Sequence, residues 1–329
     1  MRVSREQAIA YRLQVNHLAT RMAPGSYPEA AHVALQDTVP RSALLSLHAR
    51  VSGCEPAAWE DPRLVQTYSP RAAVHVVPER DLGVFTIGRL PDDPEERRAT
   101  EDLAERICRV AGPDWMDRRD LPAELQPELR RAVTTGRLVI RWDTRSIRIR
   151  QVPPPAIERD DARLELCRRH IHAFGPTNPV ALAWWAGIST ADARNTWERL
   201  AGELIEVTVD EQPAWILAAD EPAVRSAEPA AGVRLLPAEE LRLFGVDRTR
   251  TFVAPSREAV PPFYDTFHPH GLVVGGRVVG SWGRRQGAVD IRVGAQCPAR
   301  VRSAIEAEAL SLPIPRARMS VTFTIGEFL

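Results

Sequence analysis

Lysine is absent from this 329-residue chain, so all 43 of its basic residues are arginine. Without lysine there is no Schiff-base chemistry, no lysine general base and no phosphate-binding P-loop lysine. Cysteine is scarce. Cys54, Cys108, Cys167 and Cys297 are far apart with no CxxC pair, so they read as reduced thiols of a cytoplasmic protein and not as a zinc site or disulfide framework. No run of about 18 apolar residues occurs, which argues against a membrane span. The N-terminal MRVSREQAIAYRLQ is amphipathic and lacks the apolar centre of a signal peptide. Net charge is missing too, because 43 acidic residues balance the 43 arginines. Contacts to phosphate must then come from local patches. Nothing calls for a metal or a cofactor.

What is present is clearest from 170 to 217. Asn178-Pro179 precedes a helical spacing of Val180, Leu182, Ala183 and Trp184. Gly187 suits the positive φ of a helix C-cap, and Ser189 can N-cap the next helix. That helix places Ala193, Trp197 and Leu200 on one face, with Arg194 and Arg199 off it. Two β-type runs follow, 204–209 and 215–217. Helix, tight turn, helix and hairpin is the order of a winged helix, which sets a helix in a DNA groove. The same order also describes a helical hairpin whose ribbon serves packing or dimerisation.

The length calls for more than one module. Helical spacing over 7–18 and 42–50, then β-type runs at 73–77 and 84–87, make a first winged-helix-like module of residues 1–91. The acidic, proline-bearing stretch 91–96 reads as a boundary. Helices at 99–111 and 122–133 and an alternating hairpin at 135–150 make a second module, 92–152. Residues 156–220 are the third. Short strands dominate 230–329, with Gly275-Gly276 as a two-residue hairpin turn, and suggest a β-rich, barrel-like or sheet domain. The expected class is α+β, tandem winged-helix modules followed by a β-rich C-terminal domain.

Arg141, Arg145, Arg148 and Arg150 form a basic stripe, and Arg284 and Arg285 follow the Gly-Gly hairpin. With Arg194 they are candidate phosphate contacts, or simply a solvated face. His268 and His270 flank Pro269 and would share one face of a strand, but no third metal ligand accompanies them.

Several segments resemble the AlkZ/YcaQ family of winged-helix proteins, which includes DNA glycosylases that unhook interstrand crosslinks. They are VALQDTVPRSALLSLHARV (33–51), SPRAAVHVVPERDLGVFTIG (69–88), FGPTNPVALAWWAGIS (174–189), VRLLP (233–237) and GLVVGGRVVGSW (271–282). They fall in the family's order over nearly the whole chain. The resemblance implies a concave basic surface that cradles DNA; the expected partner is double-stranded DNA, alkylated or crosslinked, and the expected state a monomer. The family's catalytic signature is Gln, an apolar residue, then Gln or Asp. Aligned without gaps, Gln36 takes the first position, Asp37 the apolar one and Thr38 the last. A one-residue slip would instead make Asp37 the acid. After VRLLP the chain has Ala238-Glu239-Glu240-Leu241, where relatives have a Phe-Asp-Pro-Tyr-like run, which marks a divergent branch.

Such a glycosylase must stabilise a cationic sugar and hold a water beneath it. A glutamine can hold the water when the leaving base is already cationic, as N7-alkylguanine is. Gln36 is then the water-holder, Thr38 a second through its hydroxyl, and Asp37 a base only if the backbone turns it inward. Without the resemblance, Gln36-Asp37-Thr38 ahead of Pro40 also reads as an ordinary helix cap. The departure from the signature leaves open a non-enzymatic DNA binder, a regulator or a shield for lesions. A drug-sequestering protein that never meets DNA is a third reading.

Overall fold

The computed structural model describes residues 1–69, 71–143, 145–244, 270–294, 297–314 and 318–326. The class is α+β. Among the described residues no helix is long and apolar enough to cross a membrane.

Helix α1 (Arg5–Val15) opens with a capping box, in which Ser4 and Gln7 exchange hydrogen bonds. Strand β1 (Leu35–Gln36) and helix α2 (Ser42–Arg50) follow, then β2 (Leu64–Tyr68) and β3 (Val74–Pro78). Helix α3 (Pro94–Ala111) starts where a boundary was expected. Asp93 accepts from the amides of Glu95 and Glu96, Pro94 takes the first turn, and Gly112 ends the helix at φ +64°. Proline after an N-cap aspartate starts a helix as readily as it marks a linker. Strands β4 (Met116–Asp117), β5 (Leu138–Trp142) and β6 (Ile147–Gln151) complete a six-stranded sheet of order β1-β3-β2-β5-β6-β4. One sheet therefore runs through both of the first two expected modules, joined at Gln66 opposite Ile140.

Two sequence expectations give way here. Residues 84–87 are helical at Leu82–Phe85 and then a 3₁₀ turn, not a strand. All four residues of that helix are buried, so their apolar run serves a core helix, which periodicity cannot distinguish from a buried strand. Of 122–133, only Leu129–Ala132 is α-helical.

Helices α4 (Arg159–Phe174), α5 (Pro179–Ala186) and α6 (Thr190–Arg199) are followed by the hairpin β7 (Leu204–Val209) and β8 (Gln212–Leu217). The caps at Gly187 and Ser189 are those read from the sequence, and Asn178 adds a third. Asn178 Oδ1 accepts from the Ala181 amide at 2.8 Å, Gly187 has φ +66°, and Ser189 Oγ accepts from the Asp192 amide at 3.0 Å. Leu166, Cys167 and Ile171 of α4, with Trp185, Ala193 and Trp197, form the core beneath them. Each large apolar side chain so buried contributes about 2 kcal/mol.

The last part is a sheet of order β13-β12-β11-β10-β9, namely β9 (Val233–Leu236), β10 (His270–Val274), β11 (Arg277–Arg285), β12 (Ala288–Val293) and β13 (Ser320–Ile325). It is open among the described strands, not a closed barrel. Helix α7 (Ala299–Leu310) packs on it through Ile305 and Ala309. Gly275 and Gly276, at φ +58° and +74°, make the expected two-residue turn.

Candidate active site around Gln36

Strand β1 pairs with β3 so that Gln36 lies directly opposite His75, which puts both side chains on one face. The next residue points the other way, and the one after returns. Gln36 and Thr38 accordingly meet, with Gln36 Nε2 donating to Thr38 Oγ1 at 2.5 Å. Thr38 is exposed and Gln36 half-buried.

Asp37 faces inward and is fully buried. Its Oδ1 accepts from the Ala43 amide at 3.0 Å in the first turn of α2. Its Oδ2 accepts from Trp59 Nε1 at 3.2 Å and from Gln66 Nε2 at 2.5 Å. Burial pushes its pKa up from 3.8 to about 6, although these donors pull the other way. Asp37 is thus turned inward, but into the core, with both oxygens held by Ala43, Trp59 and Gln66. The alternation of a paired strand fixes Asp37 in the interior once Gln36 is out.

Two arginines that the sequence reading passed over hold Gln36. Arg71 Nη2 and Arg242 Nη1 each donate to Gln36 Oε1 at 2.7 Å. An atom facing two guanidiniums must be the amide oxygen, which settles the orientation of the side chain. Both guanidiniums lie over the Trp184 ring, at 4.6 Å for Arg71 and 5.5 Å for Arg242. The adjacent Trp185 is buried in the core, so the Trp-Trp pair divides between core and site.

Three parts of the fold converge to place these groups. Arg71 is in the tight turn between β2 and β3, with φ +50°. Gly187 packs against it, and a Cβ there would lie 2.9 Å from Arg71 Cα. Buried Arg89 fastens the same junction, donating to the carbonyls of Ala186 at 2.7 Å and Tyr68 at 2.8 Å. Arg242 belongs to the 3₁₀ segment Ala238–Phe244 that follows β9. Buried Arg12 of α1 donates to the Leu243 carbonyl at 3.1 Å and so ties α1 to that segment. Arg50 of α2 makes a buried two-point contact with Glu240, at 2.8 and 2.7 Å.

His75 Nδ1 donates to the Ala73 carbonyl at 3.0 Å, which puts the ring proton on Nδ1. Burial holds its pKa well below 6.5, and Arg71, Arg242 and Arg89 push in the same direction. It is a neutral imidazole beside Gln36.

The expected DNA contacts are dispersed. Arg145, Arg148, Arg194, Arg284 and Arg285 are exposed. Arg141 pairs with Glu60 at 2.9 Å and lies 5.1 Å over the Trp59 ring. Arg150 is half-buried over Trp115 at 4.9 Å. A cleft of about 310 Å³ is lined by Trp59, Trp115, Arg141 and Arg150. His270 is committed within the fold, since its Nδ1 accepts from the Ala238 amide at 3.1 Å and its ring lies 4.7 Å from Trp282. His268 lies outside the described residues.

The model of the AlkZ-like DNA glycosylase family matches residues 30–312. Among solved structures the chain is similar to the DNA glycosylase AlkZ of Streptomyces sahachiroi, with a TM-score of 0.78 and 19% identity over 98% of this chain and 100% of that one. At that identity the likeness speaks for the fold. No curated protein sequence matches the chain.

Proposed function

The chain belongs to the AlkZ-like DNA glycosylase family, and from that premise we propose that it is a monofunctional glycosylase that excises bulky N7-alkylpurines from duplex DNA or unhooks crosslinks made through them. The observation that carries this reading is Gln36, oriented by Arg71 and Arg242 at the accessible edge of β1 with Thr38 beside it. With Oε1 occupied twice and one Nε2 proton on Thr38, one amide proton of Gln36 and the Thr38 hydroxyl remain to fix a water. N7-alkylguanine leaves as a neutral base without protonation, so the chain needs no general acid on the leaving group. Lesions of this kind are those a genotoxic natural product leaves, which suits a role in repair or self-resistance.

In this reading residues 1–91, 92–152 and 156–220 are winged-helix modules, the first two fused through one sheet, and 230–329 is the β-rich domain. Helix α6 is offered to the major groove with Arg194 toward the backbone. Arg145, Arg148, Arg284 and Arg285 are the exposed partners for phosphate.

The test is base release from a duplex carrying one N7-alkylguanine, read as alkali-labile cleavage. Wild type should release the base, and Gln36→Ala should be slower by about 100-fold, the usual loss for one positioned polar group. Strand scission should need added alkali, since no lysine imine can form. No release at large enzyme excess would sink the proposal. A second reading, a winged-helix protein that binds lesions without cutting, is favoured by Thr38, which cannot replace a Gln or Asp in charge or reach. Retained lesion affinity without base release would establish it.

A further inference from the structure

The Gln36 site has two guanidiniums and a neutral imidazole, and its own aspartate points into the core. A cationic sugar would find nothing there with opposite charge from residues 36–38. We propose that Glu239 supplies the missing carboxylate, standing in for the last residue of the family signature from a different part of the chain. The inference rests on the glycosylase reading.

Glu239 and Arg242 are three residues apart in the 3₁₀ segment Ala238–Phe244. That helix has three residues per turn, so i and i+3 lie one above the other. Arg242 reaches Gln36 Oε1 at 2.7 Å, and Glu239 is therefore on the face turned to Gln36. Its charge is felt by Asp37 at the end of β1, and it feels Arg242 and Arg71 in turn. Its Oε2 is buried and has no hydrogen-bond partner among the described residues. The neighbouring Glu240 differs, because both its oxygens are taken by Arg50. A buried carboxylate oxygen left without a donor costs stability. An uncompensated carboxylate oxygen three residues from the arginine that holds Gln36 is one a desolvated cation could pair with once the site opens to it.

The C1′–N9 bond of the N7-alkylguanine nucleotide breaks with its electron pair going to the cationic base, which departs neutral. The Glu239 carboxylate faces the cation left on the sugar. Water held by Gln36 and Thr38 forms a new bond to C1′ and gives its proton to Glu239, which passes it to solvent. Burial raises the pKa of Glu239 above 4.5, which makes the carboxylate a better acceptor. Arg242 and Arg71 pull the value down, and Glu240 pushes it up.

The experiment is single-turnover release from the same duplex carrying one bulky N7-alkylguanine between pH 5 and 9, with melting temperature and duplex affinity measured on the same proteins. Glu239→Gln should slow release about 100-fold, in the range of a lost acid–base group. It should leave duplex affinity unchanged and melting unchanged or higher, because it removes a buried charge. Wild-type release should rise with pH through an acid limb that Glu239→Gln lacks and Asp37→Asn keeps. Undiminished release by Glu239→Gln overturns the assignment while the glycosylase reading stands. Loss of release together with lower melting and lost affinity overturns it in favour of a structural role. An acid limb that disappears in Asp37→Asn instead overturns it in favour of Asp37. An inactive wild type overturns the glycosylase reading, and this assignment with it.

Discussion

Replacing Asp37 by asparagine separates a carboxylate that builds the site from one that reacts in it. The folded pKa of about 6 exceeds the ordinary 3.8 because burial disfavours the charge. Each tenfold in proton affinity is about 1.4 kcal/mol, so ionised Asp37 costs the fold about 3 kcal/mol. The sign follows from the direction of the shift. The cost is fully present above pH 6, is relieved as pH falls from 6 toward 3.8, and is gone below that. Asparagine carries no charge and escapes the cost. It also turns one acceptor into a donor, which must meet either the Ala43 amide or the Trp59 and Gln66 donors. That conflict costs about 1–3 kcal/mol at every pH. Asp37→Asn should therefore equal or exceed wild type in stability at pH 7.5 and equal or fall below it at pH 4.5, with the difference between the two proteins moving by about 2 kcal/mol in favour of wild type over that range. Urea unfolding at a series of pH values measures the difference. Base release by folded Asp37→Asn should stay within a few-fold of wild type. A stability difference that does not change with pH would refute the burial argument. A collapse of release with the fold intact would refute the structural role.

Other consequences follow from single contacts. Arg50→Ala leaves Glu240 buried and unpaired and should cost about 3–5 kcal/mol in denaturant unfolding, whereas removing both charges should recover much of it. Gly187→Ala meets both a positive φ and the Arg71 backbone at 2.9 Å. It should destabilise by about 1–3 kcal/mol, and base release should fall further than stability explains, because Arg71 moves with the turn. Arg148→Ala and Arg284→Ala should each reduce the slope of log affinity against log salt by about one, with no change in lesion preference. An unchanged slope would remove either residue from the DNA-binding face.

Much of the architecture could be read from local chemistry, because local chemistry decides it. The caps at Ser4, Asn178 and Ser189, the stop at Gly187 and the Gly275-Gly276 turn each concern neighbours within a few residues, and the chain obeys them. The stretch at 84–87 misled for a physical reason. An apolar run buried on all sides carries no period, and packing made it a helix. That one sheet joins the first two expected modules depends on the meeting of Gln66 and Ile140, 74 positions apart, which no local pattern records.

The site divides in the same way. The sequence by itself marked Gln36, Asp37 and Thr38, since their order in a recognisable segment is a local property, and the absence of lysine fixed which chemistry is closed to them. It had no means to orient Asp37, because side-chain direction depends on the pairing of β1 with β3. Nor could it find Arg71, Trp184, Glu239 and Arg242, which come from a turn, a helix and a 3₁₀ segment spread over more than half the chain. Tertiary structure alone brought two guanidiniums onto one amide oxygen and left a buried carboxylate oxygen without a donor among the described residues. Those are facts of distance and burial, and only the folded chain has them.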